Sequence, residues 1–249
     1  LRLQANQSAF SHFNVKKKRS FMKHVVKIIV FIGLCSSLVF AQEITREQKL
    51  QKLNELTAQV SVLEQDILSP DTNDIIRARK ENFEVFRIMP REKYDRKLSI
   101  QGGGSYYSFT TKSHDYQKIA QIGLEQNNLR TGFAGANYGF IADLGENSLA
   151  EVTTDSAEAN FLVNYKPPTN ESDVRIEQQR TRNYETAGIS YKNAVPAVVG
   201  HSYVFRTISF GDADVLVAFN IHRKDADGSL IIFWKLLENY EKPLLARNK

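Results

Sequence analysis

Val215-Leu216-Val217-Ala218-Phe219-Asn220-Ile221-His222-Arg223, Lys224-Asp225-Ala226-Asp227-Gly228 and Leu230-Ile231-Ile232-Phe233-Trp234-Lys235-Leu236-Leu237 decide how this chain folds. Two strongly apolar runs, rich in β-branched and aromatic residues, flank a short polar turn, which is the pattern of a β-hairpin. Gly228 suits a left-handed turn position. In the second run Leu230, Ile232, Trp234 and Leu236 share one face, and Ile231, Phe233 and Leu237 the other, with Lys235 as the exception. A strand apolar on both faces lies at the centre of a core or under a further layer.

Working back from this hairpin, residues 97–249 read as a β-rich domain. Expected strands are 97–101, 105–111, 118–125, 129–134, 138–144, 160–165, 186–191 and 203–210, followed by the two of the hairpin. Most connections between them are short, which favours antiparallel pairing. Residues 166–183 interrupt the pattern. Lys166-Pro167-Pro168-Thr169-Asn170 reads as an exposed loop, and Ser172 as the cap of a short polar helix, so this stretch is expected to be an insertion or lid.

Residues 42–96 read as helical. Thr45 and Gln48 have capping-box spacing. Leu53, Leu56, Val60, Leu63 and Ile67 recur at steps of three and four, which gives one apolar seam on a helix over 46–68. Ser69-Pro70 ends it. A second helix is expected over 73–86. The fold class is therefore α+β: two N-terminal helices, then a mostly antiparallel sheet, sandwich or partial barrel of about eight to ten strands. The seam makes residues 46–68 a candidate homo-oligomer contact.

Charge separates the chain into two parts. Of 33 Lys and Arg residues, seven lie in residues 1–41, with no Asp or Glu among them. The remainder holds 26 basic against 28 acidic residues, so the net +5 belongs to the first sixth of the chain. There, Met22, Lys23, His24 and Lys27 form a basic n-region and Ile28–Phe40 an apolar stretch. Val39-Phe40-Ala41 places suitable residues for cleavage after Ala41, as in a secretory signal peptide. Residues 1–21 then read as an upstream extension. The expected location is periplasmic or extracellular, with membrane contact only if the signal segment stays uncleaved. The basic excess no longer argues for a nucleic-acid partner. From Arg77 to Lys97 eight basic residues outnumber four acidic ones, which reads as a solvated face.

Cys35 is the only cysteine and lies in the apolar segment, so the expected mature chain folds on its core alone, without disulfides. His114, His201 and His222 lack the spacing of a one-helix metal site. Gly102-Gly103-Gly104-Ser105 lacks the ending of a phosphate-binding loop and reads as a turn or bulge. Asp225-x-Asp227-Gly228 starts like a calcium loop, but Leu236 stands at the twelfth position. No catalytic residue, metal ligand or cofactor is assigned. The candidate ligand contacts are Tyr106, Tyr107, Phe133 and Tyr138, aromatic residues around the glycine-rich stretch 132–139 that suit stacking on sugar rings or a peptide. The reading that results is a non-enzymatic exported bacterial envelope or secreted module that binds a protein or polymer. The alternative is a secreted hydrolase using one of the three histidines or carboxylates such as Asp95, Glu125, Asp143 and Glu151.

Overall fold

The computed structural model describes residues 45–116 and 120–246. The expected extension, signal segment and cleavage point lie outside the described residues. The chain divides into two compact units, residues 1–55 and 56–249. In the first, the described part is helical from Arg46. Thr45 and Gln48 form the reciprocal cap, with Thr45 N–H donating to Gln48 Oε1 at 2.9 Å and Gln48 N–H to Thr45 Oγ1 at 3.2 Å. This helix, α1, runs over Arg46–Leu68. Leu53, Leu56, Val60, Leu63 and Ile67 are all exposed along it, whereas Leu68 is buried.

The second unit is mixed α+β, rich in antiparallel sheet. Its strands are β1 (Glu84–Ile88), β2 (Tyr106–Tyr107), β3 (Ile122–Glu125), β4 (Asn128–Arg130), β5 (Tyr138–Asp143), β6 (Tyr184–Thr186), β7 (Ile189–Tyr191), β8 (Ala194–Pro196), β9 (Ser202–Ser209), β10 (Ala213–Lys224) and β11 (Leu230–Asn239). A five-stranded sheet has the order β1-β11-β10-β9-β5, and a four-stranded sheet the order β2-β3-β4-β8. Strands β6 and β7 form a separate hairpin. The remaining helices are α2 (Thr72–Lys80), α3 (Arg91–Tyr94), α4 (Asn160–Asn164) and α5 (Glu171–Arg180).

The hairpin β10–β11 sits in the middle of the large sheet, and alternation explains its double coverage. Leu230, Ile232, Trp234, Val215, Val217, Phe219, Tyr203 and Phe205 join Tyr107, Ile122, Leu124, Leu129 and Val195 of the small sheet in one core. Their strand neighbours Ile231, Phe233, Leu216, Ala218, Val204 and Ile208 face a second core, shared with Leu162, Tyr165, Val174 and Tyr191. The large sheet is thus the middle layer, between the small sheet and the layer of α4, α5 and β6–β7.

Four sequence expectations change. Residues 97–101, expected as a strand, form turns and bends that lead into the three-glycine turn. The helix expected to reach residue 86 stops at Lys80, because Asn82 adopts a left-handed conformation at φ 60°. Beyond it β1 pairs with β11, Phe86 opposite Ile232. Residues 160–165, expected as a strand, form α4. The segment 186–191 is a hairpin instead of one strand, because Ala187 and Gly188 both take positive φ and make a two-residue turn. The basic stretch 77–97 is spread over helix and strand, and three of its eight basic residues form ion pairs: Arg77 with Glu81 at 3.7 Å, Arg87 with Asp225 at 2.7 Å and Arg91 with Glu125 at 3.3 Å.

Gly102, Gly103 and Gly104 form a turn in which all three φ angles are positive, and no helix follows it. A Cβ on Gly103 would lie 2.0 Å from the Tyr94 carbonyl oxygen, a backbone atom that cannot yield. Gly103→Ala is expected to lower stability by at least the roughly 1–3 kcal/mol of a strained left-handed residue, read as a fall in the urea midpoint. An unchanged midpoint would show that this turn is not required to be glycine.

Candidate functional site

A cleft of ≈ 630 Å³ opens in the layer over the second core. Helix α4, the loop Lys166–Pro168, helix α5 and the hairpin β6–β7 line it. Each wall follows from local sequence. Asn170 caps α5 by accepting from the Asp173 N–H at 2.9 Å, and Glu171 and Asp173 place negative charge at the positive end of the helix. Val174, almost fully buried, fastens α5 to the core. Asp173, Ile176, Glu177 and Arg180 recur at helical spacing and turn toward the cleft.

The opposite wall is held by a buried ion pair. Arg206 in β9 and Asp214 in β10 lie on the sheet face that carries the helices. The guanidinium donates twice to the carboxylate, both bonds 2.8 Å long. Its Nη1 also donates to the carbonyls of Leu162 and Tyr165, the latter at 2.9 Å. The Tyr240 ring lies 3.7 Å from the guanidinium carbon. Arg206 thus neutralises Asp214 and satisfies backbone oxygens at the end of α4, where no further helical turn accepts them.

The floor is aromatic. Phe161 lies 4.8 Å from Tyr184, 4.9 Å from Tyr191 and 5.6 Å from Tyr165, centroid to centroid. Tyr138 in β5 donates to the Tyr165 hydroxyl at 2.8 Å, and Tyr165 donates to Glu177 Oε2 at 2.7 Å. Burial pushes both tyrosines well above their ordinary range, so they remain protonated donors at neutral pH. Tyr191, whose hydroxyl donates to the Glu158 carbonyl at 2.8 Å, is pushed up to about 12, again chiefly by burial. Arg180 stacks on Tyr184 with its guanidinium carbon 3.8 Å from the ring centroid, and it contacts Glu177 at 3.3 Å. The amides of Asn160 and Asn164 complete the rim.

The four expected ligand contacts do not gather here. Tyr106 and Tyr107 are neighbours on β2 and point to opposite faces. Tyr107 is buried between the sheets, stacked on Phe86 at 3.7 Å. Tyr106, also buried, meets the half-buried Phe133 at 5.0 Å. Tyr138 is in the second core and reaches the cleft only through Tyr165. The glycine-rich stretch does support the cleft, since Gln178 of α5 donates to the carbonyls of Gly135 and Asn137.

None of the alternative catalytic groups lines this cleft, although two pairs of them are brought together elsewhere, His201 with Asp143 and Asp95 with Glu125 through their shared partner Arg91. A ring nitrogen of His114 lies 2.6 Å from the Arg87 carbonyl, and burial lowers its pKa. His201 contacts Asp143 at 3.0 Å, and His222 stacks on Phe233 at 4.3 Å. Glu125 is held by Arg91 and Arg130. Asp227 accepts from the Tyr94 hydroxyl and from Ser229, which accounts for the Asp-x-Asp-Gly sequence as a hairpin turn. Among the described residues, no group of three or more His, Cys, Asp and Glu side chains converges as a metal site.

No protein-family model, curated protein or solved structure matches this chain.

Asp214→Asn leaves a buried guanidinium without its counter-charge and is expected to cost about 3–5 kcal/mol in chemical denaturation. The double substitution Arg206→Met with Asp214→Leu removes both charges and is expected to recover much of that loss. It still leaves the Leu162 and Tyr165 carbonyls without their donor. Hydrogen exchange in residues 160–165 should therefore stay faster than in the unsubstituted protein. Normal protection there would show that Arg206 does not hold this wall.

Proposed function

We propose that this chain is an exported, non-enzymatic binding module, and that it holds a segment of a saccharide polymer in the cleft. The observation that carries this reading is the pairing of an aromatic floor with a rim of planar polar groups in one open cleft. Phe161 offers a ring against the apolar face of a sugar. Glu177, Asp173 and the Asn164 amide oxygen accept from hydroxyls, while Arg180 and the Asn160 amide donate to them. A cleft that is open to solvent admits a chain without requiring a free end. Export rests on the basic n-region, the apolar stretch and the Val-x-Ala site before Gln42. Among the described residues no helix is long and apolar enough to cross a membrane.

The hydrolase reading keeps one supporting observation. Asp173 and Glu177 are two carboxylates in the same cleft, the minimum equipment for glycoside cleavage. Neither is among the carboxylates that the sequence singles out.

A glycan array with the purified chain, followed by calorimetry on the glycans retained, tests the binding module. Phe161→Ala and Arg180→Ala are each expected to weaken binding by about tenfold or more, roughly 1.4 kcal/mol. Circular dichroism checks that the fold is intact. Binding unchanged by both substitutions would remove the cleft from the account. Release of reducing ends that is lost in Glu177→Gln would replace the binding module with the hydrolase. For export, intact-mass measurement of the expressed protein is expected to show cleavage after Ala41. A mass that retains residues 22–41 would instead make that segment an anchor.

The exposed seam of α1 supports self-association as part of the same proposal. Size-exclusion chromatography with light scattering is expected to show a dimer that Leu56→Lys with Leu63→Lys converts to a monomer. A strict monomer before substitution would dispose of it.

A further inference from the structure

We infer that α1 pairs with α1 of a second copy in antiparallel orientation, centred near Ala58. The inference rests on the proposal that α1 self-associates, and adds its direction and register. Two features on the helix point to this occupant. The first is the apolar seam, Leu53-Leu56-Val60-Leu63-Ile67, with every member exposed. The second is the placement of charge. Arg46, Lys49 and Lys52 all lie in the first two turns, and after Lys52 every charged residue of the helix is acidic: Glu55, Glu64 and Asp66. Only Glu47 is acidic in the first turn, and the last turn has no basic residue.

That order is unfavourable for a helix by itself. The N-terminal end of a helix is the positive pole of its macrodipole and the C-terminal end the negative pole, so basic residues belong late and acidic ones early. Here most of the charge runs the other way. A parallel neighbour would add to the mismatch by setting like charges side by side. An antiparallel neighbour reverses it. The acidic end of each helix then lies beside the positive pole and the basic residues of the other.

The seam fixes the register. Leu53 and Leu63, Leu56 and Val60, and Lys49 and Ile67 become the layers between the two copies. The flanking positions then set Lys52 against Asp66 of the second copy, twice by symmetry, and Gln59 against itself. Lys52 already contacts Glu55 at 3.3 Å on its own exposed helix face, an interaction weak enough to yield. Glu64 is engaged by Ser99 of its own body. It faces Leu50 of the second copy in this register and loses no charge partner. Contacts from Glu64 and Leu68 hold the C-terminal part of α1 in place before the second copy arrives, which lowers the ordering cost of pairing.

Single-cysteine variants of the full chain, made with Cys35→Ser, test the direction. With a short bis-maleimide, Gln59→Cys is expected to cross-link to itself. Lys49→Cys is not, because antiparallel pairing separates its two copies by about 27 Å at 1.5 Å per residue. Charge reversal gives a second readout. Lys52→Glu and Asp66→Lys are each expected to weaken the dimer several-fold, and the two together to restore it, with helicity followed by circular dichroism. A monomer in light scattering would overturn self-association and this inference together. A dimer in which Lys49→Cys cross-links and Gln59→Cys does not would overturn the antiparallel direction alone. Failure of the double reversal to recover the dimer would overturn the register.

Discussion

The Arg206–Asp214 pair is the constraint on which the layer of α4, α5 and β6–β7 depends. Two charges almost wholly withdrawn from water are costly unless each is neutralised and its remaining hydrogen-bonding capacity is filled. Both conditions are met here only with α4 in place. Asp214 supplies the counter-charge from the neighbouring strand, and the carbonyls of Leu162 and Tyr165 take a further donor from the guanidinium. The large sheet therefore does more than cover its second face with apolar side chains. It specifies where one short helix ends, and that end carries Tyr165 to Glu177.

How far the sequence discloses this depends on range. The central hairpin was legible because its information is local. Alternation gives the two faces, and Asp225-Ala226-Asp227-Gly228 gives the turn, closed by the Gly228 N–H on the Asp225 carbonyl at 2.9 Å. Thr45 and Gln48 were legible for the same reason. Asn160–Asn164 was not. A five-residue apolar run has no clear period, and the group that settles its conformation lies more than forty residues downstream. Residues 84–86 read as the end of a helix because the apolar residues before and after Asn82 continue a helical face. The left-handed backbone at Asn82 interrupts it, and pairing with β11 takes over.

The cleft was harder to foresee than the fold. Residues 166–183 stood out as an insertion, but the aromatic density around 132–139 drew attention to residues that pack inward. Tyr106, Tyr107 and Tyr138 look like a binding surface in sequence because sequence does not distinguish an exposed ring from a core ring. The floor of the cleft combines Phe161 and Tyr165 from one segment with Tyr191 from another, and Tyr184 backs Phe161 from beneath Arg180. The signal that was available is modest. Asp173, Ile176, Glu177 and Arg180 form a stripe of mixed polarity on a short helix, next to a Pro-Pro loop.

The two helical walls of the cleft are fastened unequally. Helix α4 is tied to the middle sheet through a buried guanidinium. Helix α5 has one buried side chain, Val174, and is held besides by polar and cation–π contacts: the Asn170 cap, the two bonds from Gln178, the Tyr165–Glu177 link and Arg180 on Tyr184. Few apolar contacts and many exposed backbone bonds are the marks of a segment that opens at low cost. The cleft therefore has a stationary jaw and a compliant one. A displacement of α5 would change the width of the cleft without breaking a hydrogen bond of the sheet beneath.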